Sequence, residues 1–228
     1  MKKYSKRYLE LRDKIVIEPY SPKDAIKLVK ELSNAKFDES VEAHISLNIN
    51  TKYADQQLRS NLVLPHGTGK SKRIAVLIEE SDANSITSKN VVILNLDELL
   101  VRVDKNEIDF DILLTTPSMM PKIARLGKTL SSRGLMPSIK SGTITTSLDE
   151  AIKEFESGKF EYRADKTGIV HMVFGKATFS VDDLINNLST LYNHIENNKP
   201  SGVKGKFFKN FYICTTMSPS IKIDFSQF

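Results

Sequence analysis

The sequence has no tryptophan, one cysteine (Cys214) and only four histidines in 228 residues. A single thiol excludes an intramolecular disulfide and any cysteine-based metal cluster, and it fits a reducing compartment or an equivalent organelle matrix. His44, His66, His171 and His194 are scattered, with no H-x-x-x-H or comparable ligand spacing, so neither a metal nor a cofactor is expected. His44 and His171 fall in strand-like runs and read as structural or contact residues. Cys214, beside Tyr212 and Ile213, reads as a small buried hydrophobe. The G-x-S-x-G of a nucleophile elbow is missing too. These absences argue against an enzyme.

Long apolar runs are also absent. Nothing approaches the roughly 18–20 apolar residues of a membrane span, so no membrane partner is expected. The basic start MKKYSKRYLELRDK has no apolar run after it, and Glu10 and Asp13 come early. It is expected to be neither a secretory signal nor a cleavable organelle presequence. No internal repeat and no low-complexity tract is visible.

What is present is ordinary globular composition, 40% hydrophobic and 27% charged, with a net charge of +5. A chain of this length forms one large domain or two small ones. The basic excess invites a nucleic-acid partner, and its placement says more than its size. Residues 66–158 hold 12 Lys and Arg against 13 Asp and Glu, whereas the two flanks together hold 21 against 15.

The flanks share one style. Ser21 and Pro22 open a helix to about Asn34 with Ala25, Ile26, Val29 and Leu32 on one face. VEAHISLNI alternates strictly from Val41 to Ile49, the mark of a strand with one wet face. A second strand runs from about Gln57 to Leu64. FEYRAD and IVHMVFGK, separated by Lys166-Thr167-Gly168, read as a hairpin. Ser180 opens a long amphipathic helix to Asn198, and two strand-like runs close the chain around Pro219. The middle differs: RIAVLI and DILLTT are nearly continuous apolar runs, as in strands covered on both faces. Helical patterns at Leu96–Val103, Met119–Leu130 and Ser147–Glu156 fall between and after them.

The expected fold class is therefore α/β in two domains. Residues 1–65 and 159–228 form a discontinuous α+β domain, and residues 66–158 an inserted three-layer α/β domain. Pro65, His66, Gly67 and Gly158 mark the crossings and are the hinge candidates.

LPHGTGKSKR tests one alternative class, a P-loop nucleotide-binding enzyme. The motif needs a glycine where Leu64 stands, and a helix where the strand-like RIAVLI follows. A glycine-rich interdomain turn carrying Lys70, Lys72 and Arg73 describes it better. The long segment LGKTLSSRGLMPSIKSG reads equally as a functional loop or as a solvated surface loop. RADKTGIVH sets Arg163, Lys166 and Thr167 at a hairpin turn, where basic and hydroxyl groups suit RNA phosphates and 2′-hydroxyls. GVKGKFFKNFY interleaves Lys204, Lys206 and Lys209 with four aromatics. Those rings suit base stacking, although alternation makes at least half of them core.

Taken in order, KFDESVEAHISLNI, ADQQLRSNLVLPHGTGK, TTPSMMPKIARLGKTLSSRGLMPSIKSGTI, FEYRADKTGIVH and KPSGVKGKFFKNFYICTTMSPSIKID cover nearly the whole chain. They resemble the universal large-subunit ribosomal protein family of the lateral stalk, L-one in words. RADKTGIVHMVFGKA and M-x-P-S-I-K are similar to its cyanobacterial and plastid branch. The resemblance implies a two-domain α/β fold and a non-enzymatic role as a structural constituent of the large ribosomal subunit. It implies binding of large-subunit ribosomal RNA at the mobile stalk, help in releasing deacylated tRNA from the exit site, and contact with other ribosomal components. Bacterial members also repress translation of their own mRNA. The compartment implied is a plastid (chloroplast) ribosome, with the bacterial cytoplasm as the alternative.

By motif match the resemblance implies RNA-facing residues at Lys36, Phe37 and Ser40, then Arg163, Asp165, Lys166, Thr167, Gly168 and His171, then Thr216 and Met217, with Ser218 beside them and Lys204 and Lys206 added from the basic aromatic run. The family usually has Thr at Ser40. It reads T-M-G-P-G where this chain has Thr216 to Ser220, so Ser218 and Ser220 replace glycines. Its L-G-P-x-L-G-P-R-G loop is LGKTLSSRG here, without the stiffening prolines.

Overall fold

The structure is a computed structural model that describes residues 4–16, 18–78, 91–105 and 107–227. The first three residues of the basic start lie outside that range. In chain order the elements are α1 (Lys6–Asp13), α2 (Pro22–Leu32), β1 (Ser40–Leu47), β2 (Arg59–Val63), β3 (Ile74–Leu77), β4 (Val91–Leu94), α3 (Leu96–Asp104), β5 (Ile112–Thr115), α4 (Met120–Ile123), α5 (Gly127–Ser132), α6 (Leu148–Glu156), β6 (Lys159–Arg163), β7 (Ile169–Lys176), α7 (Val181–Asn197), β8 (Phe208–Thr215) and β9 (Ile221–Lys222). The chain divides into two compact units, residues 1–69 with 162–228, and residues 70–161. The crossings fall a few residues beyond Pro65 and Gly158.

In the first unit an antiparallel sheet of order β7-β1-β8-β9 packs its inner face on α2 and α7. Period-2 alternation dictates this: Val41, Ala43, Ile45 and Leu47 of β1 are all buried, and Glu42, His44 and Ser46 between them are only partly so. Helix α2 starts where the sequence says. The Ser21 hydroxyl accepts the Asp24 N–H and Pro22 occupies the first turn. Its stripe of Ile26, Val29 and Leu32 is fully buried, each side chain contributing roughly 1.5–3 kcal/mol. Ser180 caps α7 in the same way, accepting the Asp183 N–H.

The expected hairpin needs a correction. Its turn is present, with the Asp165 N–H donating to the Ile169 carbonyl at 2.9 Å. The strands it joins belong to different sheets, because β6 pairs with β2 while β7 pairs with β1. Among the described residues, one isolated bridge, Ala164 to Val170, links them beyond the turn.

The second unit holds a parallel sheet of order β4-β3-β5. Every residue of β3 and β5 is buried, as a strand covered on both faces requires. Ala75, Leu77 and Leu113 face a core shared with α3, α4 and α5, whereas Ile74, Val76, Ile112 and Leu114 face α6. The result is a three-layer sandwich. The single helix expected over Met119–Leu130 is instead two short helices, α4 and α5, with a 3-10 turn before each. Proline at 121 and glycine at 127 weaken a continuous ladder. The apolar period survives the breaks, since Met119, Ile123, Leu126 and Leu130 all reach the same core. Strand β4 adds to the elements expected from the sequence.

Candidate nucleic-acid interface

Apart from His171, the RNA-facing candidates fall into two groups at opposite ends of β1, whose eight residues extend roughly 23 Å at about 3.3 Å per residue. At the Ser40 end, the loop between α2 and β1 meets the turn between β8 and β9. The Ser40 N–H donates to Thr216 Oγ1 at 3.1 Å, and the Thr216 N–H donates back to the Ser40 carbonyl at 3.1 Å. Lys36 and Phe37 stand exposed on one side of this junction and Met217 on the other. Phe37 is 55% exposed and Met217 47%, so a ring and a thioether face solvent beside backbone and hydroxyl groups. Ser218, the departure from glycine, closes the turn with its own side chain. Its Oγ accepts the Thr215 N–H at 2.9 Å and donates to the Pro219 carbonyl at 3.2 Å.

At the other end lies the turn between β6 and β7. Asp165 organises it, with Oδ1 accepting the N–H groups of Thr167 and Ile169 at 2.8 Å each. The Thr167 hydroxyl donates to the same carboxylate at 2.7 Å. The Ile169 amide and the Thr167 hydroxyl hold the Asp165 carboxyl down at about 2. Gly168 has φ 81°, and a Cβ there would sit 3.3 Å from the carbonyl oxygens of Leu47 and Ile49, which explains glycine at the turn. Arg163 and Lys166 border a cleft of about 340 Å³ with Thr51, Gln57 and Arg59. Lys204 and Lys206, both exposed, lie in the segment leading into Phe208 of β8. Phe208 pairs with Leu47, so these lysines belong to this end.

The outer face of the sheet connects the two groups, and here sequence spacing misled. His44 and His171 are paired across β1 and β7, with their Nδ1 atoms 2.9 Å apart. His44 Nε2 lies 3.3 Å from Cys214 Sγ and 3.7 Å from Glu42 Oε2. Cys214 is therefore not a core residue: β8 turns Phe211, Ile213 and Thr215 inward, which puts the thiol on the outer face. Glu42, His44 and Cys214 could bring three ligand atoms to one metal ion. Burial, and then Glu42, push the thiol up to about 11, so it stays protonated at neutral pH. Burial, and then His171, lower the His44 pKa, leaving a neutral imidazole.

The hinge candidates Pro65, His66 and Gly67 lie within the first unit. Asn187, fully buried on α7, accepts the His66 N–H at 3.1 Å and donates to the carbonyls of Gly67 and Phe174 at 3.0 and 2.9 Å. Gly158, with φ 100°, ends α6 in the second unit. Ser71 is followed within three residues by β3, so Gly69-Lys70-Ser71 opens no helix and makes no phosphate cradle.

Sequence reading missed Asn187 and Glu39, although each left a signal. Asn187 interrupts the apolar stripe of Leu184, Leu188 and Leu191. Glu39 shares the inward parity of Val41, Ala43 and Ile45, and it is 1% exposed.

Known proteins match this chain over almost all of it. A model of the ribosomal protein L1p/L10e family matches residues 29–219. The large ribosomal subunit protein uL1c of Rhodomonas salina is 53% identical over 228 residues, covering 100% of this chain and 97% of its own. That of Guillardia theta is 54% identical over 228 residues with the same coverage. The uL1 protein of Prochlorococcus marinus strain NATL1A is 52% identical over 227 residues, covering 100% of this chain and 97% of its own. With its α/β architecture, the chain thus belongs to the ribosomal protein L1p/L10e family, whose members are structural proteins rather than enzymes.

Proposed function

We propose that this chain is a constituent of the large ribosomal subunit that binds large-subunit ribosomal RNA through its first unit. The observation that carries the reading is the junction of Ser40 with Thr216, where exposed Phe37 and Met217 flank interlocked backbone and hydroxyl groups. Rings and thioethers left in solvent suit stacking on unpaired bases, and hydroxyls and peptide groups suit phosphates and 2′-hydroxyls. Charge agrees: residues 1–69 with 162–228 carry 20 Lys and Arg against 14 Asp and Glu, and residues 70–161 carry 13 against 14.

At the lateral stalk the same protein assists release of deacylated tRNA from the exit site, with the two crossings as its hinge. Off the ribosome, the same surface binds its own mRNA where that message imitates the ribosomal site. The relatives named above favour a plastid ribosome, with a bacterial one as the alternative. Titration of the full chain with a transcript of the stalk region tests the reading. Binding should weaken linearly in log K against log salt. No binding at low salt would overturn it, and cofractionation with large subunits tests the assembly.

A further inference from the structure

We propose that Glu39 is a positioning residue of this interface, a buried carboxylate that fixes the loop carrying Lys36 and Phe37 against the turn carrying Thr216 and Met217. The inference rests on the RNA-binding reading and deepens it, assigning the shape of the surface to a group lying beneath it. Glu39 Oε1 accepts the Ala35 N–H and Oε2 accepts the Met217 N–H, both at 3.0 Å. One carboxylate thereby joins backbone from opposite ends of the chain. The Ala177 N–H donates to the Glu39 carbonyl at 2.9 Å, tying its own backbone to the segment after β7. Arg7 spans the same gap from outside, donating from Nη1 to Asn34 Oδ1 at 3.2 Å and from Nη2 to the Met217 carbonyl at 3.3 Å. The peptide groups of Met217 are thus held on the N–H by Glu39 and on the carbonyl by Arg7.

A buried carboxylate is costly unless it is well hydrogen-bonded. Burial raises the Glu39 pKa, but the Thr215 hydroxyl and the Ala35 and Met217 amides outweigh it, so the group remains ionised. A negative charge under a surface that meets phosphates opposes binding. Its presence there is explained by geometry, and this gives the test its sign. Glu39→Gln removes the charge but leaves only one acceptor oxygen, and its NH2 must face an amide N–H. If Glu39 acts only through its charge, the substitution tightens RNA binding. If it positions the two loops, the substitution weakens it.

The experiment titrates the full chain with the stalk-region transcript, comparing the parent with Glu39→Gln, Glu39→Asp and Asp38→Asn. Glu39→Gln should bind about tenfold more weakly, with the salt slope unchanged because the same number of phosphates is neutralised. Glu39→Asp keeps the charge but is one methylene too short to span both amides, and it should weaken binding as well. Asp38→Asn removes the same charge from the exposed neighbour and should bind as tightly as the parent or tighter. Hydrogen exchange on the free proteins should show the Met217 amide protected in the parent and fast in Glu39→Gln, while β1 and β8 stay protected.

Binding by Glu39→Gln as tight as the parent's, or a Met217 amide already fast in the parent, overturns the inference. If Glu39→Gln does not fold, the same readouts on Glu39→Asp decide by the same outcomes. A parent chain that fails to bind the transcript overturns the RNA-binding reading itself. A parent that binds beside an unaffected Glu39→Gln overturns only the positioning role.

Discussion

Phe37 and Met217 leave about half of their surface in solvent, so truncating either should lower the unfolding midpoint only slightly. In complex with RNA the expectation reverses. Stacking of a base on an aromatic ring is worth about 1–3 kcal/mol, so Phe37→Ala should weaken binding by roughly 5- to 150-fold, and Met217→Ala should weaken it less, as filter binding would show. Asp165 has another role. Its folded pKa of about 2 lies below the ordinary 3.8. Its contribution to stability is therefore present above about pH 4 and is lost as the pH falls towards about 2. In Asp165→Asn the acid limb of a stability-versus-pH curve should be shallower over that window, measured by denaturant unfolding at each pH. The alternative, an unchanged limb, would mean that the turn does not depend on the carboxylate.

At the level of elements, α7 does more than cover the sheet. Through Asn187 it holds the turn after β2, which a helix of uniform apolar face could not do. Asn187→Ala orphans the His66 N–H and the Phe174 carbonyl and should destabilise the first unit by roughly 2–4 kcal/mol. A lower denaturant midpoint at constant slope would show this. The elements best read from sequence are those whose burial is periodic and local: α2 with its Ser21 cap, β1 with its alternation, and α7. Less was legible where partners are chosen across the chain. Nothing local tells β6 to pair with β2 when β7 follows it after a five-residue turn. Likewise, spacing along the chain could not show that β1 and β7 bring His44 beside His171. Glu39 and Asn187 were legible in principle, because a polar residue at a core-facing position needs partners.

For the whole molecule, the basic excess lies entirely in the unit built from both ends of the chain. The resemblance assigned RNA contacts to that unit by motif, and the uneven charge gave the same assignment by physics. The candidate residues stand in long contiguous motifs, which is what singled them out. Their arrangement at two ends of one strand could not, since it depends on sheet register. The salt dependence of stalk-region RNA binding by charge variants of the whole chain decides whether the first unit carries the RNA contact. Neutralising Lys36, Arg163 and Lys166 together should lower the affinity and reduce the slope of log K against log salt, by up to about 0.9 for each phosphate no longer neutralised. Neutralising Arg125 and Lys128 in the second unit should leave the slope as it is. A slope carried by Arg125 and Lys128, and indifferent to Lys36, Arg163 and Lys166, would contradict the account.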